Sequence, residues 1–214
     1  MNKPIIILGA GEHARVLLEI LLQQKQPVIG LTEINPQIHG QYYQNTPVLG
    51  NDDIILTYSP DEIALVNGLG SAKQPILRRK VFERFKSQYY NFAAVQHPQV
   101  TISPSAKIGE GCQILPQVVI NTESHIADNV LLNTGAIVEH NCMIGNHCHI
   151  ATGATLCGHC QIGNNVHIGA GATLIQQITV GNHSVIAAGA VVIADVPDNV
   201  LVAGVPAKII KKLD

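Results

Sequence analysis

Glycine, carboxylate and histidine residues of this chain fall into two groups whose types and spacing suit chemistry. The first is Gly9-Ala10-Gly11-Glu12-His13-Ala14, which follows an apolar run at residues 4–8 and precedes Val16, Leu17, Ile20 and Leu21 at helical period. A glycine turn leading into a helix presents backbone amides that can cradle phosphate. Glu33, about twenty residues further on, stands where a ribose-binding carboxylate belongs. The same turn can also serve only to pack helix on strand, but its place between the two favours nucleotide binding. Residues 1–95 are too few for both halves of a full dinucleotide fold, which argues for a smaller nucleotide ligand.

The second group is a scatter of histidines beyond residue 120: His125, His140, His147, His149, His159, His167 and His183. Imidazole takes up a proton near neutral pH and also binds zinc, so such residues suit acid–base work, metal binding or a solvated surface. Five cysteines accompany them, and Cys157 with Cys160 has the CxxC spacing of a metal knuckle. The choice among these readings depends on which side chains the fold brings together.

Every sixth residue from Ile102 to Val192 is aliphatic, sixteen in succession. This period fits neither a helix nor an ordinary alternating strand, and it marks a parallel β-helix of hexapeptide rungs. Two places before each anchor the residue is small or β-branched, as at Ala106, Cys112, Ser124, Ala136, Cys142, Cys148 and Cys160. These face a narrow interior. Glycine often follows the anchor, at Gly109, Gly145, Gly163, Gly169 and Gly181, with a polar residue after it, as corners require. The register sends Cys160 inward and Cys157 to a corner, so the pair diverges. The inward cysteines read as core residues of a reducing compartment. It also scatters the histidines over several coils, so no metal is expected. Zinc hydration of the γ-carbonic anhydrase kind is the metal alternative.

Ahead of the repeats, strands at residues 28–31 and 63–66 alternate with helices, the last at residues 76–85, which argues a parallel sheet. The proline-marked stretch 97–104 hands over to the rungs, giving domains 1–95 and 96–214. A net charge of -2 with 13% charged residues supplies no basic stripe, which disfavours nucleic acid as a partner. No apolar run is long enough to span a bilayer and no secretory signal is evident, so a cytoplasmic protein is expected.

The segment Leu132-Asn133-Thr134-Gly135-Ala136-Ile137-Val138-Glu139-His140-Asn141-Cys142-Met143-Ile144-Gly145 is followed by His149 and, near the end, by Gly204-Val205-Pro206-Ala207-Lys208. Together with the glycine turn and the rungs, it resembles the hexapeptide-repeat nucleotide-sugar acetyltransferases of the sialic-acid and bacillosamine pathways. The UDP-N-acetylbacillosamine N-acetyltransferases are nearest in pattern. The resemblance implies an α/β plus β protein: a small Rossmann-like domain at 1–95 holding a UDP-sugar, then a left-handed parallel β-helix at 96–214 with a C-terminal cap, binding acetyl-CoA. Three hexads per coil, a homotrimer and acetyl transfer to the 4-amine of a UDP-linked 2-acetamido-2,4,6-trideoxyhexose are implied with it. Sialic-acid O-acetylation and a non-catalytic sugar-nucleotide-binding scaffold are the rival readings.

Carried over by position, His140 matches the general base, which acyl transfer to an amine or hydroxyl needs. Asn141 stands where the bacillosamine enzymes have a carboxylate; an amide can fix a tautomer but stabilises an imidazolium less well. The resemblance assigns His149, Gly158, Ala188, Gly204 and Pro206 to acetyl-CoA, with the Gly158 amide facing the thioester carbonyl. It assigns Gly11, Glu12, His13, Thr32, Glu33, Gly70, Ser71 and Arg78 to the UDP-sugar. Two acidic residues occupy the Thr32–Glu33 positions in the bacillosamine enzymes, so one carboxylate is missing here. A solvated helix arginine is the other reading of Arg78.

Overall fold

The computed structural model describes residues 3–70 and 75–213. The chain divides into two compact units, Met1–Val95 and Gln96–Asp214.

In the first unit, four consecutive apolar residues make strand β1 (Ile5–Leu8), buried throughout. This is the expected composition of a parallel strand covered on both faces. Helix α1 (Glu12–Gln23) buries Ala14, Leu17, Leu18, Ile20 and Leu21. Strands β2 (Val28–Thr32), β3 (Tyr42–Tyr43), β4 (Thr46–Gly50) and β5 (Ala64–Asn67) follow, then helix α2 (Pro75–Lys86). The described residues form a sheet of order β3-β4-β2-β1-β5, parallel except for the β3–β4 edge hairpin. That hairpin is absent from the sequence reading because its turn, Gln44-Asn45, has no glycine. Both residues nonetheless hold positive φ, 47° and 65°, which suits a tight hairpin. Strand β5 ends one residue later than expected, at Asn67.

The order places β1 between β2 and β5, so the loops leaving β1 and β5 flank a switch point at the carboxyl ends of the strands, where α/β sheets take ligands. A Cβ on Gly68 would lie 2.6 Å from the Leu8 carbonyl oxygen and 2.7 Å from Ala14 Cβ. Only glycine lets these two loops meet so closely.

In the second unit the rungs stack in parallel, with each residue paired to the one eighteen further on: Ile120 with Val138, Ile126 with Ile144, Leu132 with Ile150. Three hexads therefore complete one coil. The anchors from Ile114 onward and the small residues two places before them make a continuous core. The cysteines and serines of that small slot satisfy carbonyls of the next coil: Cys112 Sγ donates to Ala127 O (3.0 Å), Cys148 Sγ to Gly163 O (2.9 Å) and Ser124 Oγ to Glu139 O (2.7 Å). A polar atom thus enters a dry interior without being left unsatisfied. All five cysteines are free thiols, and burial pushes Cys148 up to about 12.

One edge carries an Asx ladder in which each side chain accepts from the coil below: Glu110 N donates to Asp128 Oδ1 (2.8 Å), Asp128 N to Asn146 Oδ1 (3.0 Å) and Asn146 N to Asn164 Oδ1 (2.8 Å). Each corner from Gly111 to Gly189 also holds a residue at positive φ, and Asn141, His147, His159 and His183 fill such places, at 59–61°. Backbone geometry therefore accounts for several histidines that composition alone left open to metal. Among the described residues, no three His, Cys, Asp or Glu side chains form a group able to hold a metal ion. No described helix is long and apolar enough to cross a membrane.

Candidate active site

His140 stands exposed at the corner after strand Ile137–Val138. Its Nδ1 lies 3.0 Å from Asn141 Oδ1. An amide oxygen can only accept, so Nδ1 carries the proton and Nε2 presents its lone pair. The ring lies against Gly158 so closely that a Cβ there would come within 2.6 Å of both Cε1 and Nε2. On another side His159 meets it edge to face, ring centroids 5.2 Å apart. Glu139, adjacent in sequence, turns instead to Asn121, whose Nδ2 donates to its Oε2 at 2.9 Å. An exposed imidazole held in one tautomer, with the lone pair of Nε2 engaged by no hydrogen bond, can take a proton from an attacking amine or hydroxyl.

The other residues assigned to acetyl-CoA do not gather around His140 within one chain. His149 is nine residues on, half a coil around, and sits buried in strand His149–Ile150, paired with His167 directly above it. Ala188 lies exposed at a different corner, Gly204 ends strand Val200–Gly204, and Pro206 lies in the turn that leads to strand Ala207–Lys212. The rings of His149 and His167 have centroids 4.8 Å apart, and burial lowers the pKa of His167. A buried neutral histidine resists protonation that the unfolded chain accepts. Its contribution to stability is therefore present above the unfolded value, about 6.5, and is lost as pH falls toward the depressed folded value. Denaturant midpoints measured between pH 8 and pH 5 should fall with acidification in the wild type and fall less in His167→Gln. Parallel pH dependence in the two would show that His167 does not carry the effect.

In the first unit, Thr32 and Glu33 reach back to the glycine turn. Gly9 N donates to Thr32 Oγ1 and Ala10 N to Glu33 Oε2, both at 3.2 Å. Thr32 Oγ1 in turn donates to Asp52 Oδ1, a carboxylate that sequence reading missed. Glu33 Oε1 also accepts from Ile34 N and Asn35 N. The turn's first amides are thus held by the side chains of Thr32, the last residue of β2, and of Glu33 just after it, and Gly11, Glu12 and His13 follow at the start of α1. Gly70 comes alongside His13: its Cβ would be 3.8 Å from that of His13. Ser71 lies outside the described residues. Arg78 is not the solvated helix residue of the second reading. It is buried, and its Nη1 donates to Asn67 O (3.0 Å) and Leu69 O (2.8 Å). Asn67 Nδ2 returns a bond to Arg78 O (2.9 Å), so the pair pins the loop that carries Gly70.

Residues 4–85 match the PglD N-terminal domain family and residues 96–192 the GMPPB C-terminal domain family. Among solved structures, the acetyltransferase domain of PglB from Neisseria gonorrhoeae FA1090 is 32% identical, with 98% of this chain and 100% of that one covered and a TM-score of 0.88. The chain belongs to the hexapeptide-repeat nucleotide-sugar acetyltransferases. PerB from Caulobacter crescentus, solved with CoA and GDP-perosamine, is also 32% identical over 97% of each chain, TM-score 0.87. WeeI from Acinetobacter baumannii AYE is 25% identical over 98% of this chain and 100% of that one, TM-score 0.85. A comparison with curated proteins returned no match. The β-helix is left-handed, as in this family. The PglB domain has also been solved with acetyl-CoA, and acetyl-CoA is the co-substrate of this nucleotide-sugar acetyltransferase.

Proposed function

We propose that this acetyltransferase moves acetyl from acetyl-CoA to the 4-amine of a UDP-linked 2-acetamido-2,4,6-trideoxyhexose in the cytoplasm, with His140 as general base. The observation that carries the reading is the His140 ring itself: Nδ1 engaged by Asn141, Cε1 and Nε2 beside Gly158, and no hydrogen bond made by Nε2. The sugar amine attacks the thioester carbonyl and gives a proton to His140 Nε2. The tetrahedral intermediate collapses with cleavage of the carbon–sulfur bond, and His140 returns the proton to the departing thiolate, releasing CoA. His149, Gly158, Ala188, Gly204 and Pro206 are proposed to hold the acetyl donor. Gly11, Glu12, His13, Glu33, Gly70 and Ser71 are proposed to hold the nucleotide sugar, with Thr32 and Arg78 shaping its loops.

A GDP-linked 4-amino sugar is the second reading, favoured by the likeness to PerB. The test is thiol release from acetyl-CoA with a panel of UDP-4-amino sugars, GDP-perosamine and free sialic acid. Turnover with a UDP-4-amino sugar above all others is the expected result. Turnover with GDP-perosamine alone would move the acceptor to the second reading, and turnover only with sialic acid would replace N- by O-acetylation.

The distribution of these residues over separate faces of one prism supports a homotrimer in which the donor residues of one chain complete the His140 edge of another. Sedimentation at micromolar protein should give three chains per particle. A stable, fully active monomer would overturn this assembly.

A further inference from the structure

The His140 base proposed above has an aromatic neighbour, His159. His159 sits one coil beyond His140, and its backbone N–H donates to the His140 carbonyl at 2.9 Å. The two rings meet at 89°, centroids 5.2 Å apart, with both side chains exposed. His159 holds φ at +61°, a left-handed corner that asparagine or glycine serves with less strain, as at Asn129, Asn165, Gly135 and Gly153. His147 and His183 fill such corners too, on another edge, so the corner alone does not explain a ring here. What distinguishes His159 is that its ring packs against the imidazole that must take the proton.

We infer that His159 is a positioning residue for the base. Three contacts then fix the His140 ring: Asn141 Oδ1 at Nδ1, the bare Gly158 beneath it, and the His159 ring against its side. The first sets the tautomer, the second sets the height, and the third stops rotation that would swing Nε2 away from the reacting amine. An exposed imidazole with only one hydrogen bond would otherwise sample several rotamers. An aromatic pair in this edge-to-face arrangement is stabilising by enough to shift rotamer populations up to about tenfold. No carboxylate lies within ion-pair distance of His140 among the described residues, so orientation rests on these three neighbours.

The inference rests on the general-base reading, and two substitutions separate ring contact from corner geometry. His159→Asn keeps a residue suited to the corner and removes the ring. His159→Phe keeps a ring in a conformation this chain already gives an aromatic residue, Tyr89 at φ +68°. The expected result is a kcat about tenfold lower in His159→Asn, with KM for acetyl-CoA and for the sugar nucleotide unchanged, and a kcat near wild type in His159→Phe. A merely structural corner role reverses the order, because asparagine would then match or exceed wild type while phenylalanine lost both stability and activity. Wild-type kcat in His159→Asn overturns the inference, as does an equal loss in both variants. If His159→Phe does not fold, His159→Asn decides alone. His140→Ala is run beside them. An inactive His140→Ala with wild-type His159→Asn defeats this inference only, whereas an active His140→Ala defeats the base reading and the inference together.

Discussion

Replacing His140 with alanine is expected to lower kcat by about 10²–10⁴, the usual worth of a general base, or roughly 3–5 kcal/mol of barrier. The loss should fall on kcat and leave KM for both substrates nearly unchanged, because the base acts on charge that develops only during reaction. Stability should hardly move. The His140 side chain is exposed and its contacts are to Asn141, Gly158 and His159, so its removal empties no core. Steady-state kinetics beside a thermal melt checks both halves. Retention of more than about a third of wild-type kcat, far above what a lost base leaves, would send the search to other groups. His149 is a poor substitute within the same chain, since it is buried half a coil away.

The rungs were legible in the sequence because a narrow triangular coil tolerates only small residues inside and repeats them at a fixed interval. Ala106, Cys112 and Ser124 betray the fold even though their chemistry differs. Handedness left no trace in the spacing, since a coil of either hand repeats every six residues. The β3–β4 hairpin escaped notice for a different reason: Gln44 and Asn45 adopt positive φ under tertiary constraint, without the glycine that usually advertises such a turn. His140 and Asn141 stood out as neighbours in sequence, but the partnership of His140 with Gly158 and His159 did not. Those contacts follow the coil period of eighteen rather than the hexad period of six, as Ser124 Oγ and the Cys142 amide also do. Once His140 is paired by register with position 158, the residue after it falls beside the imidazole. The burial of Arg78 was not legible because one of its carbonyl partners, Asn67, ends β5 and the other, Leu69, belongs to the loop after it, whose path no local pattern encodes.

The second large effect is expected from a single methyl group. Gly158→Ala puts a Cβ within 2.6 Å of His140 Cε1 and Nε2, closer than any real contact, so one of the two must yield. Gly158 is a buried corner residue whose carbonyl accepts from Gln177 N at 2.9 Å, whereas the His140 ring is an exposed side chain held only by its contacts with Asn141, Gly158 and His159. The ring will move. Because relief comes from a surface side chain, the loss of stability should stay within about 0.5 kcal/mol, as for ordinary surface changes. Catalysis is less forgiving, since a displacement on the order of 1 Å in a positioned group can cost about 10²-fold. The expected outcome is therefore a kcat about 10²-fold below wild type with an unchanged melting temperature and unchanged KM for acetyl-CoA. The substitution also separates two roles for this residue. Alanine keeps the backbone amide that the family resemblance assigns to the thioester carbonyl, so any loss of kcat at constant KM must come from the displaced imidazole. Wild-type kcat in Gly158→Ala would mean that the base works from a ring position other than the one resting on Gly158, and the three-sided support of His140 would fall with it.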